Sequence, residues 1–198
     1  MRNRLCILTC ILVNYCLTFG PLTAQQNVVT EHITTADGLS QGFVYDILQD
    51  AEGFLWLGTK DGLNRYDGYN FEVFTNDPDD KWSIAGNAVT YLFEDSKGRI
   101  WASTENVGVD IYDKRSGRFY HLNFDPSNPH GITGTNIREI IEDTSGYFLL
   151  NVDEREINML TIDDAFFNEE EPLSVIRIPI PNQDLNSQIP GALLNGMS

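Results

Sequence analysis

The stretch Asp50-Ala51-Glu52-Gly53-Phe54-Leu55-Trp56-Leu57-Gly58-Thr59 returns 45 residues later as Asp95-Ser96-Lys97-Gly98-Arg99-Ile100-Trp101-Ala102-Ser103-Thr104. A weaker third copy, Asp143 with Gly146-Tyr147-Phe148-Leu149-Leu150-Asn151-Val152, follows after a further 48 residues and puts Leu149 where the tryptophans stand. Self-similarity at a period of about 45 to 50 residues signals a stacked repeat architecture, and it is the first thing to establish because it fixes everything downstream. The repeat extends on both sides. Leu39-Ser40-Gln41-Gly42, Ile84-Ala85-Gly86-Asn87 and Ile132-Thr133-Gly134-Thr135 lead into it, and Gly62-Leu63-Asn64-Arg65-Tyr66-Asp67 and Gly108-Val109-Asp110-Ile111-Tyr112-Asp113 follow it.

Each unit reads as four short strands between turn residues. In the first unit these are Val44 to Gln49, Phe54 to Gly58, Leu63 to Tyr66 and Phe71 to Phe74. Gly98 and Gly146 close turns that need a positive φ, which glycine takes without steric cost. In Leu55-Trp56-Leu57 the residues facing both ways are apolar, so this strand is expected to be buried on both faces. No stretch after Ala24 has a convincing helical period, Thr161 to Glu170 being the nearest. The expectation is an all-β chain, a partial β-propeller of about three four-stranded blades, with repeats near 39–75, 84–122 and 132–178 and an insertion from Asp163 to Pro172. A propeller closes with about four to eight blades, so the chain reads as the N-terminal piece of a longer protein. Val28 to Ile33 is expected to complete a last blade, and residues 179–198 to begin a further blade or form a tail.

Arg2 and Arg4 precede an apolar run from Leu5 to Phe19, and Leu22-Thr23-Ala24 offers a small-residue cleavage site, the pattern of a secretory signal peptide over 1–24. The run is shorter than the roughly 20 residues a spanning helix requires. Export to the periplasm is therefore expected, with no membrane span in the remaining chain. All three cysteines (Cys6, Cys10, Cys16) fall in the leader, leaving no thiol for a disulfide, a zinc site or a nucleophile. The chain carries 13 basic and 29 acidic residues, a net charge of −16, which becomes −18 (11 against 29) without Arg2 and Arg4. Such a surface repels nucleic acid and anionic lipid.

The set Asp50, Gly53, Trp56, Gly58, Thr59, Tyr66, repeated as Asp95, Gly98, Trp101, Thr104, Tyr112, resembles the two-component regulator propeller repeat, over roughly residues 28 to 160. The resemblance implies the periplasmic sensor region of a hybrid two-component system. In such proteins propellers precede a β-sandwich, a membrane helix, a histidine kinase core, a receiver and a DNA-binding domain, and many sense polysaccharide breakdown products. It further implies an oligosaccharide ligand, additional blades of the same protein, and a homodimer in the intact parent. A free-standing secreted binding propeller is the alternative.

The residues offer no catalytic set and imply no cofactor. There is no nucleophile elbow, no phosphate-binding glycine loop and no kinase core. His32, His121 and His130 are widely separated and lack metal-ligand spacing. Asp77, Asp79 and Asp80 lack the alternation and closing glutamate of a calcium loop. Trp56 and Trp101, mid-strand at identical repeat positions, are expected to pack in the core, which leaves Tyr69 and Trp82, nearer loops, as the candidates for ligand contact.

Overall fold

The computed structural model describes residues 30, 32–124, 127–128, 131–152, 156–162, 164–168 and 175–179. The leader, residues 28, 29 and 31 of the strand expected over 28–33, His130 and residues 180–198 lie outside them, and the described Thr30, His32 and Ile33 form no strand. The architecture below belongs to one unit, Ile33–Ser198.

Among the described residues, twelve strands form three antiparallel four-stranded sheets, each a meander of consecutive strands. The first holds β1 (Val44–Gln49), β2 (Leu55–Thr59), β3 (Gly62–Tyr66) and β4 (Phe71–Phe74). The second holds β5 (Val89–Glu94), β6 (Ile100–Thr104), β7 (Gly108–Asp113) and β8 (Arg118–Asn123). The third holds β9 (Ile137–Glu142), β10 (Tyr147–Val152), β11 (Glu156–Thr161) and β12 (Val175–Pro179). A one-turn helix, α1 (Asp164–Phe167), lies within the expected insertion. The chain is thus all-β, three blades of a propeller, and the third sheet forms despite Leu149 in the tryptophan position.

The sheets stack face to face in sequence order: β5 lies against β1 and β2, and β9 against β5 and β6. Two apolar clusters fill the two joints. Trp56, Leu63, Ile84, Val89, Leu92, Ile100, Ala102, Tyr112 and Phe119 pack between the first and second sheets. Trp101, Val109, Ile111, Ile132, Ile140, Phe148, Leu150 and Leu160 are prominent among those between the second and third. Fully burying one such side chain contributes about 1.5–3 kcal/mol, so the joints carry the apolar stabilisation that no sheet could supply alone.

Two backbone details recur. The first strand of every sheet slips register by one residue near its start, at Val44/Asp46, at Val89/Tyr91 and opposite Asn151/Val152. Such bulges bend and twist a strand locally. The joints are also close. A Cβ on Gly58 would sit 2.7 Å from the Val89 carbonyl oxygen of the next sheet, so this motif glycine serves inter-sheet approach.

The double-sided burial expected of the second strand holds for β6, buried throughout, and fails for β2, where Leu55 and Leu57 stay half-buried. The difference lies in the neighbours: β6 has a sheet on each side and β2 on one.

Candidate functional site

The repeat motif builds a turn lock. The Asp50 carbonyl accepts from the Gly53 amide at 2.9 Å, and its amide donates to the Phe54 carbonyl at 3.0 Å. Its Oδ1 accepts from the Glu52 and Phe54 amides, and its Oδ2 from the Trp56 indole at 2.8 Å. Asp95 repeats the arrangement with the Lys97 and Arg99 amides and the Trp101 indole at 2.9 Å. Asp143 keeps the two amide contacts, from Ser145 and Tyr147, although Leu149 has no indole to offer. Gly53 and Gly98 hold φ of 95° and 76°. Trp56 and Trp101 are fully buried. Their rings fill the joints, and their N–H groups are consumed by the turn carboxylates, as a buried indole requires.

Each of the first two turn carboxylates also meets a cation, from a different source. Lys114 of the second sheet places Nζ 2.7 Å from Asp50 and 3.1 Å from Glu94, crossing the joint. Arg99 places Nε 2.5 Å from Asp95 within its own sheet. Burial works to raise the Asp50 carboxyl, but the bonds from Lys114, the Trp56 indole and the Phe54 amide outweigh it and hold the group below its usual range. Burial works to lower Lys114, and its hydrogen bonds to Asp50 and Glu94 carry it above the ordinary lysine value.

A second device, not singled out from the sequence, clamps the lead-in loops. Asn64, Asp110 and Asn158 hold the same place on the third strand of each sheet and are all buried. Asn64 Oδ1 accepts from the Ser40 amide at 2.9 Å, Asp110 Oδ2 from Ala85 at 3.2 Å, and Asn158 Oδ1 from Thr133 at 3.0 Å. These clamps press Leu39, Ile84 and Ile132 into the core. The available signal was an Asn or Asp recurring at the third residue of each third strand.

A third device joins neighbouring sheets through the backbone. Asp46 accepts from the Leu92 amide at 2.8 Å. Glu94 accepts from the Ala51 amide at 2.8 Å, and Glu142 from the Ser96 amide at 2.6 Å.

The two ligand-contact candidates differ. Tyr69 stands 88% exposed in the β3–β4 turn, where its amide donates to Asp67. Trp82 is half-buried: Lys81 and Arg118 lie over its ring at 4.2 and 4.4 Å, and Tyr120 meets it edge-on at 5.4 Å. The Trp82 ring is therefore engaged by two cations and an aromatic edge, whereas Tyr69 is the one presented to solvent.

His32 is exposed, and His121 lies between the Asp110 carboxylate and the Lys81 carbonyl. Asp77 and Asp80 cap their own turns through the Asp79 and Trp82 amides. A depression of about 250 Å³ is lined by Lys97, Arg99, Asp113, Arg115 and Phe167. Arg99 and Arg115 there are each paired with a carboxylate, Asp95 and Asp113. No helix among the described residues is long and apolar enough to cross a membrane.

Residues 38–61 and 83–106 match the pattern described as the two-component regulator propeller, each segment spanning a lead-in loop, the turn lock and the first two strands. A histidine kinase P4 of Formosa agariphila is 42% identical over 85 residues, covering 43% of this chain and 6% of that protein. Two solved structures from B. thetaiotaomicron, both extracellular domains described as belonging to hybrid two component systems, are similar in fold. One has a TM-score of 0.61 at 26% identity and covers 67% of this chain. The other has a TM-score of 0.52 at 25% identity and covers 70%. The chain spans 19% of the length of either.

Proposed function

We propose, for a chain that carries two-component regulator propeller repeats, a role as part of the extracytoplasmic ligand-sensing region of a two-component signalling protein, without catalysis of its own. The observation that carries this reading is the recurrence of three four-stranded sheets, each with its turn carboxylate and lead-in clamp, in a chain similar in fold to the extracellular domain of a hybrid two component system. The leader-like residues 1–24 support delivery to the periplasm. In the intact parent, further blades complete the ring, a homodimer carries the signal, and the ligand is an oligosaccharide released from a polysaccharide. Tyr69, exposed on a hairpin tip, is the residue of this chain best placed to stack on a sugar ring.

The test is to read the locus past the codon for Ser198, produce the encoded protein, and screen its membrane-external part against polysaccharide digests by thermal shift and calorimetry. Stabilisation by one digest, together with loss of the downstream transcriptional response when that ligand is withheld, is the expected result. A stop codon after Ser198 with a stable secreted product of about the size of this chain would favour the free-standing binding propeller instead.

A further inference from the structure

The turns at one end of the sheets differ in charge from sheet to sheet. They join the first strand to the second and the third to the fourth: 50–54 and 67–70 in the first sheet, 95–99 and 114–117 in the second, 143–146 and 162–174 in the third. The lysines and arginines in these segments are Lys97, Arg99, Lys114 and Arg115, all in the second sheet. Counted from the turn carboxylates Asp50, Asp95 and Asp143, the place of Lys97 is taken elsewhere by Glu52 and Ser145, and that of Arg99 by Phe54 and Tyr147. Lys97, Arg99 and Arg115 line the depression of about 250 Å³. In a chain of net charge −16, such a concentration of cations draws anions to one place on a surface that otherwise repels them.

The turn locks do not account for these cations. Asp143 forms its lock with the Ser145 and Tyr147 amides in a turn that has no cation. In the second sheet it is the Lys97 amide, not its ammonium, that serves Asp95. Asp67, in the place of Asp113, is served by the Tyr69 and Asn70 amides. Arg115 Nε lies 3.5 Å from Asp113 on a side chain 87% exposed, a pair worth at most about 1 kcal/mol. Asp113 already accepts from the Ser116 hydroxyl at 2.8 Å. The apolar wall of the depression is a second departure from the repeat. The third-to-fourth connection is long only in the third sheet, and its α1 supplies Phe167, with Arg99 over the ring at 4.7 Å and Tyr120 edge-on at 4.8 Å. Cations peculiar to one sheet and an aromatic peculiar to the next thus converge.

We infer that this depression binds an acidic saccharide unit, a sugar ring bearing a carboxylate or a sulfate ester. The inference rests on the saccharide-sensing reading above and gives the ligand a chemical class and a site. Arg115 offers a planar guanidinium that holds two oxygens of an oxyanion at once, and Lys97 an ammonium on a flexible stem. Arg99, buried and fixed by Asp95, completes the set. Three cations against Asp95 and Asp113 leave one net positive charge (3 − 2), matched to one singly charged oxyanion. Phe167 supplies an apolar wall for the C–H face of the ring. The volume is below the roughly 300–1,000 Å³ of a drug-sized pocket and suits one ring rather than a chain of them. Tyr69 stands two residues past Asp67 as Arg115 stands two past Asp113, so both lie on the same rim of the sheets.

The experiment measures binding to the full protein encoded at the locus, in detergent, by calorimetry. The probes are oligosaccharides released from polygalacturonate and alginate (carboxylates), from carrageenan (sulfate esters) and from xylan and mannan (neutral), with inorganic sulfate alongside. An acidic probe is expected to bind at least about tenfold more tightly than either neutral one. Its Kd is expected to rise about tenfold in Lys97→Gln and again in Arg115→Gln, the loss of one charge-assisted hydrogen bond each. Lys60→Gln, in the β2–β3 turn at the opposite end, should leave it within about twofold. Lys97 and Arg115 are exposed, so both variants fold, and unchanged thermal midpoints without ligand check this. Binding of the polygalacturonate or alginate probe identifies the oxyanion as a carboxylate, and binding of the carrageenan probe as a sulfate ester. Equal or tighter binding of a neutral probe overturns the inference, as do acidic binding untouched by both substitutions and binding of inorganic sulfate alone. A neutral preference leaves the sensing reading standing, whereas a protein that binds no saccharide loses both, so the two failures are distinguishable.

Discussion

Asp110 and His121 face each other across β7 and β8 with Oδ1 2.5 Å from Nδ1, while the same cross-strand pair in the first sheet is Asn64 and Val73, and in the third Asn158 and Arg177. A charged clamp stands only where a titratable base opposes it. Asp110 therefore depends on His121, on the Thr104 hydroxyl at 2.7 Å and on the Ala85 amide, whereas neutral Asn64 needs no counter-charge.

The clamp positions are accordingly not interchangeable. Asn64→Asp buries a carboxylate with no base opposite and is expected to cost about 3 kcal/mol or more. Asp110→Asn keeps an acceptor for the Ala85 amide and is expected to cost only about 1 kcal/mol. Adding Val73→His to Asn64→Asp should recover part of the loss. Urea midpoints of the four proteins decide it, and equal effects of the two single changes would refute the charge-matching account.

His121 makes stability depend on pH. The bond to Asp110 raises its basicity, burial opposes this, and the Lys81 carbonyl adds a second acceptor, leaving the imidazole above its ordinary value. A group with a raised folded value contributes stability that is fully present below about pH 6.5 and is lost as pH rises through that folded value. Urea midpoints are expected to fall from pH 6 towards pH 9 in the parent chain. His121→Gln should be less stable at pH 6 and flatter across the range.

The joint between the first two sheets has an acid limb. Asp50 is held below its usual range, so its contribution is present above about pH 3.9 and disappears as pH falls through the lower folded value. Lys114→Met strands the buried Asp50 carboxylate with only its indole and amide donors, an expected loss of about 3 kcal/mol. Asp50→Asn with Lys114→Met together should cost less than the sum of the two single changes, a double-mutant cycle readable by thermal unfolding.

The position shared by Ile47 and Leu92 separates a filled joint from an open one. Leu92→Ala opens a cavity between two sheets and is expected to cost about 2–5 kcal/mol, whereas Ile47→Ala in the 198-residue chain should stay within about 0.5 kcal/mol. Comparable losses at both sites would mean that the first sheet is already covered in solution.

Much of this fold could be read from the chain. The period, the four strands per unit and the turn glycines are local signals, and β1 and β4 occupy the segments expected for them. The clamp residues Asn64, Asp110 and Asn158 were not legible as such, because their partners Ser40, Ala85 and Thr133 lie 24 or 25 residues away and a side chain bonding a backbone amide leaves no mark on the donor residue. The Lys114–Asp50 pair was equally hidden, 64 residues apart. Candidate ligand contacts stayed at the level of exposure: the chain shows Tyr69 to be open and Trp82 to be engaged, which the sequence, lacking direction, does not distinguish.

The bonds that stitch one sheet to the next run mostly from a side chain on one to a main-chain amide on the other, as from Leu92 to Asp46 and from Ser96 to Glu142. Every residue except proline offers such an amide, so the donating half of the seam does not depend on which side chain stands there and is present in any new copy of the repeat from the moment it is duplicated. Genes built this way can gain or lose a unit through unequal recombination without first evolving a matched pair of side chains, and ring size becomes a character that lineages are free to vary.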